Sequence, residues 1–169
     1  MSNELLSTLP PLPDGVWIAS KDPTTLTRLW GKLSQYDQLF SDESRGDLQG
    51  YVAHMSSPTA VIFETYQGVL VLDCLKVGRS AEAHLSFWDK KLSVRKPLVS
   101  QMLGWAFDVY NLHRIAVMLP VYAKAVKFFV RDKLGFRKEG VMRDAMLSRG
   151  KWIDVEIYAL LKEEFDVRT

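Results

Sequence analysis

Hydrophobic and polar positions alternate most clearly in the second half of the chain. In LHRIAVMLP, Ile115, Val117 and Leu119 take every second place before Pro120, which predicts a short strand. In VYAKAVKFFVRDKLGF, Ala125, Phe128, Phe129 and Lys133 recur at helical spacing, and Gly135 stands where the chain must leave that helix. Two long alternating runs follow, with Arg149-Gly150 between them as a tight hairpin turn, since glycine supplies the positive φ such turns need. Nearer the start, Val16 to Ser20 reads as a strand, and Asp22-Pro23 as a helix N-cap with proline in the first helical place. Leu26, Leu29, Trp30, Leu33, Leu39 and Phe40 then continue at helical spacing, giving one or two amphipathic helices before the polar break Ser41 to Asp47.

In the middle of the chain, Thr59 to Thr65 and Val69 to Val77 are rich in β-branched residues. Tyr66-Gln67-Gly68 separates them, so they form a predicted hairpin. Ala81 to Trp88 is a further strand, with Ala81, Ala83, Leu85 and Phe87 on one face and Glu82, His84, Ser86 and Trp88 on the other. A helix is expected from about Lys96 to Tyr110, with Pro97 at its start. Residues 1–13 hold three prolines and few core candidates, and read as an extended arm that can also pack on a partner subunit.

With 169 residues and 47% apolar composition, the chain is expected to be one domain, 1–169, that folds without disulfides or metal. Cys74 excludes an internal disulfide and fits a reducing compartment; flanked by Leu72 and Leu75, it reads as a buried, inert thiol. A net charge of +2 argues for neither a nucleic-acid surface nor a groove for acidic substrates. No apolar run approaches a membrane span and the N-terminus lacks an export pattern, so the expectation is a soluble protein of the cytoplasm. The three histidines and one cysteine show no ligand spacing, and no metal is expected. The five tryptophans, Phe128 and Phe129 read as core, and His113 as packing or capping near a strand start; His54 has no assignable role.

The polar face of the Ala81 to Trp88 strand is where chemistry would be placed. Glu82 and His84 project from it, and histidine has the pKa better suited to a base near neutrality. The plain alternative is that both are polar residues bonded to their neighbours.

The runs NLHRI, LGFRKEGVMRDAM and GKWIDVEIYALLKEEF, in that order over some fifty residues, resemble the C-terminal half of the GNAT superfamily of acyl-CoA-dependent N-acyltransferases. The resemblance is nearest the branch that acetylates the N-termini of ribosomal proteins. It implies an α/β (α+β) domain with a mixed, mostly antiparallel sheet of about seven strands flanked by helices. It also implies acetyl-CoA as co-substrate, a strand through Leu85, Ser86 and Phe87 whose backbone pairs with the pantetheine arm, and a base drawn from His84 or Glu82 that takes a proton from the attacking amine. Glu139, Arg143 and Asp154 match the last part of the family pattern. Glu139 is then a candidate for contact with a substrate ammonium, while Arg143 and Asp154 could pair across the hairpin.

Two departures from the family stand out. Relatives close a glycine-rich loop, Q/R-x-x-G-x-G/A, around the pyrophosphate of coenzyme A; the matching residues here, Lys90, Lys91, Leu92, Ser93, Val94 and Arg95, include no glycine, although together with Lys96 they bring four cations. The tyrosine that serves relatives as acid falls at Phe128 or Phe129, with extra residues between Phe129 and Leu134; Tyr122 is the candidate to act in its stead if it points into the cleft, and otherwise reads as a core or rim aromatic at the start of the helix. Two readings remain open. One is an N-acetyltransferase acting on the primary amine of a protein N-terminus or small molecule. The other is a catalytically silent GNAT-like module that binds a protein partner within an assembly, a setting in which phage-encoded proteins of this shape occur, in host cytoplasm or virion. A homodimer is compatible with either.

Overall fold

The structure, a computed structural model, describes residues 9–36, 40–88 and 91–167. Seven strands form one sheet: β1 (Val16–Ile18), β2 (Val61–Thr65), β3 (Gly68–Lys76), β4 (Ser80–Phe87), β5 (Arg114–Pro120), β6 (Arg137–Ser148) and β7 (Lys151–Leu161), in the order β1-β2-β3-β4-β5-β7-β6. Every neighbouring pair is antiparallel except β4 and β5. The expected architecture is therefore present. Among the described residues five α-helices accompany the sheet: α1 (Pro23–Leu33), α2 (Leu48–Met55), α3 (Leu92–Val109), α4 (Lys124–Phe128) and α5 (Lys162–Asp166), with a wide π-helical stretch, Phe129–Leu134, continuing α4.

Each face of the sheet buries its own apolar cluster. On one face Phe63, Leu70, Leu72, Ala81, Ala83 and Ile115 pack against Val99, Met102, Leu103 and Phe107 of α3. On the other, Ile62, Val69 and Val71 meet Leu26, Leu29 and Leu33 of α1 and Met55 of α2. Because side chains alternate along a strand, β3 serves both clusters at once: Leu70 and Leu72 face α3, while Val69 and Val71 face α1. The expected Asp22 cap is realised, its carboxylate accepting from Thr25 N at 3.0 Å and from Thr25 Oγ1 at 2.7 Å. Gly135 leaves the π-helical stretch at φ 87°, and Phe136 N donates back to Val130 O at 3.1 Å. The extra residues noted between Phe129 and Leu134 lie within this widened segment.

Several expectations are corrected. Helix α3 begins at Leu92, a turn before Lys96, because the amides of Val94 and Arg95 both fold back onto Lys91 O at 3.1 Å; Pro97 consequently lies inside the helix, where it removes one backbone bond. Residues 9–13 of the arm are packed: Leu9 and Leu12 rest on the larger cluster, and Trp105 Nε1 donates to Pro10 O at 3.0 Å. Residues 1–8 lie outside the described set. Cys74 is exposed, at φ 49°, in a bulge of β3 where the register to β4 shifts, so alternation no longer predicts its face. Of the tryptophans only Trp105 is buried, and Trp152 is 61% exposed; Phe129 is buried as expected but Phe128 is half exposed. His113 stands exposed, its backbone tying Arg79 O to Lys162 N. Helices α2 and α5 were not anticipated.

At the β2–β3 turn, Thr65 Oγ1 accepts from the amides of Gln67 and Gly68 at 3.1 and 3.0 Å. A Cβ on Gly68 would stand 2.6 Å from both the Phe87 ring and Ser86 O. Gly68→Ala is expected to lower unfolding stability by about 1–3 kcal/mol, measured by urea denaturation; a variant as stable as the parent would mean that β4 yields freely at this point.

Candidate active site

The parallel pair at the centre of the sheet is short. β4 and β5 are in register only at Ser80–Arg114, Ala81–Ile115 and Glu82–Ala116, after which they part. β4 stays paired with β3 as far as Phe87, and β5 with β7 as far as Pro120, so each strand is held on its outer side while its inner edge opens. Between them lies a cleft of about 650 Å³. Its floor is Ala83, His84, Leu85 and Ser86 of β4 and Val117 to Pro120 of β5. Tyr122 to Val126 form one wall, and Leu33, Phe40, Ser41, Ser44, Tyr51 and Met55 another; Met142, Ala145, Met146 and Val155 of the terminal hairpin complete it.

The second wall is fastened to the hairpin by Asp42. Its carboxylate accepts from the amides of Arg149 and Gly150 at 2.7 Å each, and Asp42 N donates to Leu147 O at 2.8 Å. Arg149 and Gly150, at φ 52° and 70°, form the expected tight turn, whose left-handed backbone aims both amides at one anion. Backbone donation from Gly150 and Arg149, with Arg45 beside it, holds the Asp42 carboxyl below the usual carboxylate range. No sequence signal joins Asp42 to a turn 107 residues away.

His84 and Ser86 reach the cleft from the face shared with α1 and α2. The His84 ring is open to the cleft, yet the mass of protein around it lowers its pKa through desolvation, against the raising effect of Asp73 and Glu82; His54 adds to the lowering. Asp73, opposite Glu82 on β3, is buried and is met by His54 Nε2 of α2, which gives His54 a role the sequence left open. Tyr51, also on the cleft, has its phenol pushed up to about 12, chiefly by burial and then by Glu64.

The remaining anticipated residues divide. Leu85 and Tyr122 line the cleft, Tyr122 in the turn before α4 rather than in the helix. Glu82 does not; it sits at the closed end, where β4 still pairs with β5. Phe87 turns away to cover Gly68 and pack on the larger cluster. Lys91, Leu92, Ser93, Val94, Arg95 and Lys96 form the N-cap and first turns of α3 instead of a preceding loop, and Lys90 lies outside the described residues. None of the six described ones lines the cleft directly. Their link to it is Arg95, whose guanidinium lies 5.1 Å from the centre of the Phe129 ring, beside the cleft residue Val130. Arg95 Nε is buried with no hydrogen-bond partner among the described residues, and the Lys91 side chain makes no capping bond to the helix amides.

Glu139 and Asp154 have other employment. Arg114 grips Glu139 with two bonds of 2.5 and 2.6 Å, away from the cleft, and each partner favours the charged form of the other. Asp154 accepts from Asp144 N at 2.9 Å across a bulge in β6, so it braces the backbone at Asp144, φ 48°, rather than pairing with Arg143 as expected.

An open seven-stranded sheet that splits at its one parallel pair defines the fold of the GNAT acetyltransferases, and the comparisons agree. No family model matches the chain. Among solved structures, a mutant of the spermidine N-acetyltransferase SpeG from Vibrio cholerae superposes with a TM-score of 0.71 over 92% of this chain and 99% of that one, at 18% identity. A probable GNAT-family acetyltransferase from Chromobacterium violaceum gives 0.70 over 94% and 90%, at 20% identity. By sequence, the chain is 35% identical over 68 residues to an uncharacterized N-acetyltransferase, p20, of Bacillus licheniformis, a stretch covering 40% of this chain and 37% of the relative. It is 28% identical over 95 residues to the putative ribosomal N-acetyltransferase YdaF of Bacillus subtilis, covering 54% and 50%. The matches thus span half or less of these curated relatives' length. The chain has the GNAT fold, and its sequence relatives carry the name N-acetyltransferase.

Asp42→Ala is expected to speed hydrogen exchange at the Arg149 and Gly150 amides and to lower stability. A carboxyl held below its ordinary pKa contributes stability above about pH 4 that is lost as pH falls through its lower folded value, so wild type and variant should converge in acid. Unchanged exchange at the turn would show that the clasp does not hold it.

Proposed function

We propose that the protein is an N-acetyltransferase that moves an acetyl group from acetyl-CoA to a primary amine. The observation that supports this most is the parting of β4 and β5, which leaves an unpaired strand edge along a cleft whose floor presents a histidine. An unpaired edge offers backbone N–H and C=O groups to an extended ligand, as the amide-bearing pantetheine arm is. Acetyl-CoA supplies the activated acyl group as a thioester. In this reading Leu85 and Ser86 present the β4 edge to its arm, with Phe87 holding that edge from behind.

The α3 terminus fits the phosphates by charge. Arg95 and Lys96 stand in the first turns of α3, near the positive end of the helix dipole and behind the N-cap Lys91, with no acidic residue in the first turn, an arrangement that favours an anion there. The buried, unpartnered Arg95 Nε is consistent with a missing anionic neighbour. Fixed cations would thus do what glycine-exposed amides do in relatives, with less directional control.

Chemically, one N–C bond forms and one C–S bond breaks; an ammonium acceptor gives one proton to solvent or base before attack and a second afterwards, while the departing sulfur takes one. His84 is the base, because it alone of the anticipated pair lines the cleft, and Tyr122, a phenol on the wall before α4, is the group that protonates the sulfur. The spermidine and ribosomal acceptors named for similar proteins belong to those proteins. For this chain the acceptor is an amine.

Three outcomes are expected. Calorimetric titration should detect acetyl-CoA at micromolar affinity, whereas no heat at millimolar ligand would leave the silent module as the better account. Arg95→Ala together with Lys91→Ala should weaken binding at least about tenfold and flatten its salt dependence; indifference to both would remove phosphate from this end of α3. The pH profile of kcat/KM should have an acidic limb centred below 6.5, since a base whose pKa is lowered stays deprotonated, and so active, at lower pH than an ordinary imidazole, and His84→Ala should abolish that limb. A limb retained in the variant would exclude His84.

A further inference from the structure

We infer that the acceptor carries its amine on an apolar body and holds no second ammonium; the inference rests on the acetyltransferase reading above. The acceptor side of the cleft is walled by Leu33, Phe40, Tyr51, Met55, Met142 and Met146, and among the described residues no carboxylate lines the cleft. Trp30 backs this wall, its ring centre 5.2 Å from that of Phe40 and 5.1 Å from that of Tyr51, which fixes two aromatic surfaces with little freedom to rearrange. The two methionines of β6 are half-buried and unbranched, and can adjust to an apolar side chain of irregular shape.

Five carboxylates outside the cleft lining are committed within the chain, while Glu43, Glu82 and Asp144, also outside it, are exposed or half-buried. Glu64 is gripped by Arg28 at 2.6 and 2.7 Å, Asp73 is met by His54, and Asp42 holds the Arg149–Gly150 turn. Asp154 braces Asp144, and Glu156 is held by Lys127, Lys138 and Tyr158 at 3.1, 2.9 and 2.7 Å. A polyamine entering here would bring a further positive charge into an apolar wall with no counter-ion, and Lys124 at the rim would repel it. A single amine next to an apolar group meets the opposite conditions. Its body is buried against Phe40, Met55 and Met146, and the same low polarity favours the neutral, nucleophilic form of the amine near His84.

The test measures coenzyme A release by the full chain with acetyl-CoA and each of four acceptors: 2-phenylethylamine, a peptide beginning with phenylalanine, a peptide beginning with serine, and spermidine. Either or both apolar acceptors should exceed spermidine and the serine peptide in kcat/KM by at least about tenfold, and the better of the two identifies a small-molecule or a peptide source. Met146→Glu, and Met142→Glu as a second variant should the first fail to fold, should raise kcat/KM for spermidine and lower it for the favoured apolar amine. Spermidine used as well as the apolar amines, or a folded glutamate variant that leaves their ratio unchanged, overturns this inference and leaves the acetyltransferase reading standing. Release with none of the four, in a protein shown to bind acetyl-CoA, overturns both.

Discussion

The separation of β4 from β5 is the constraint on which the rest of the molecule depends. Three parallel register pairs join what are otherwise two antiparallel units, β1 to β4 on one side and β5 to β7 on the other. Each unit is paired internally along its length, so the gap does not close by strand movement without breaking bonds on the outer edges. Buried clusters on both faces of the first unit lock its twist, and α3 runs beneath it as the main support. An inner strand edge exposed in this way ordinarily invites pairing with another chain. Here the walls from α1, α2 and the terminal hairpin enclose it, and access is confined to an extended ligand that enters the cleft.

Charge is distributed by the same constraint. Glu64 is almost wholly buried, and desolvation alone would raise its pKa; the Arg28 guanidinium and the Trp17 N–H outweigh that and hold it below the usual range. Glu156 is drawn down to about 2, first by Lys138, then by Tyr158 and Lys127. Both carboxylates are thereby spent on structure. What faces the cleft is an imidazole with a lowered pKa, the phenols of Tyr51 and Tyr122, the hydroxyls of Ser41, Ser44 and Ser86, Lys124 and otherwise apolar surface, with no carboxylate among the described residues. Such a site is better suited to accepting one proton than to binding charge.

Much of this was legible because the informative signals were local. Period-two alternation marked β4 to β7, β-branched runs marked β2 and β3, Asp22-Pro23 marked the start of α1, and Arg149-Gly150 marked the hairpin, since each depends on residues within a few positions of one another. Within the anticipated site, alternation put His84 and Ser86 on one face correctly, but could not say that β4 and β5 part just beyond Glu82 and so leave Glu82 outside the cleft. Bulges defeated the same logic at Cys74, where one extra residue shifts the register, and at Asp144, where two do and Asp154 is reassigned from a side chain to a backbone amide. The Arg114–Glu139 and Asp42–Gly150 contacts join positions 25 and 108 residues apart and left no trace in periodicity. Helix α2 did carry a signal in Asp47, whose carboxylate accepts from Gly50 N at 2.8 Å, but its short, weakly patterned run did not stand out from the polar stretch before it.

The start of α3 shows why a missing motif need not mean a missing interaction. A glycine-rich loop binds phosphate because amides can converge where no Cβ stands in the way. This chain instead begins its helix a turn earlier than the sequence indicated, which turns the would-be loop into helical backbone and carries Lys91, Arg95 and Lys96 to the positive pole of the dipole. Three cations there oppose the dipole and one another, and Arg95 relieves part of the strain by lying over Phe129 while its Nε goes unpaired. A helix end selected for stability alone would carry Asp or Ser at the cap and acidic residues behind it, as α1 carries Asp22. Arg95, over the Phe129 ring and so next to the cleft residue Val130, is the point at which this cationic helix end meets the cleft.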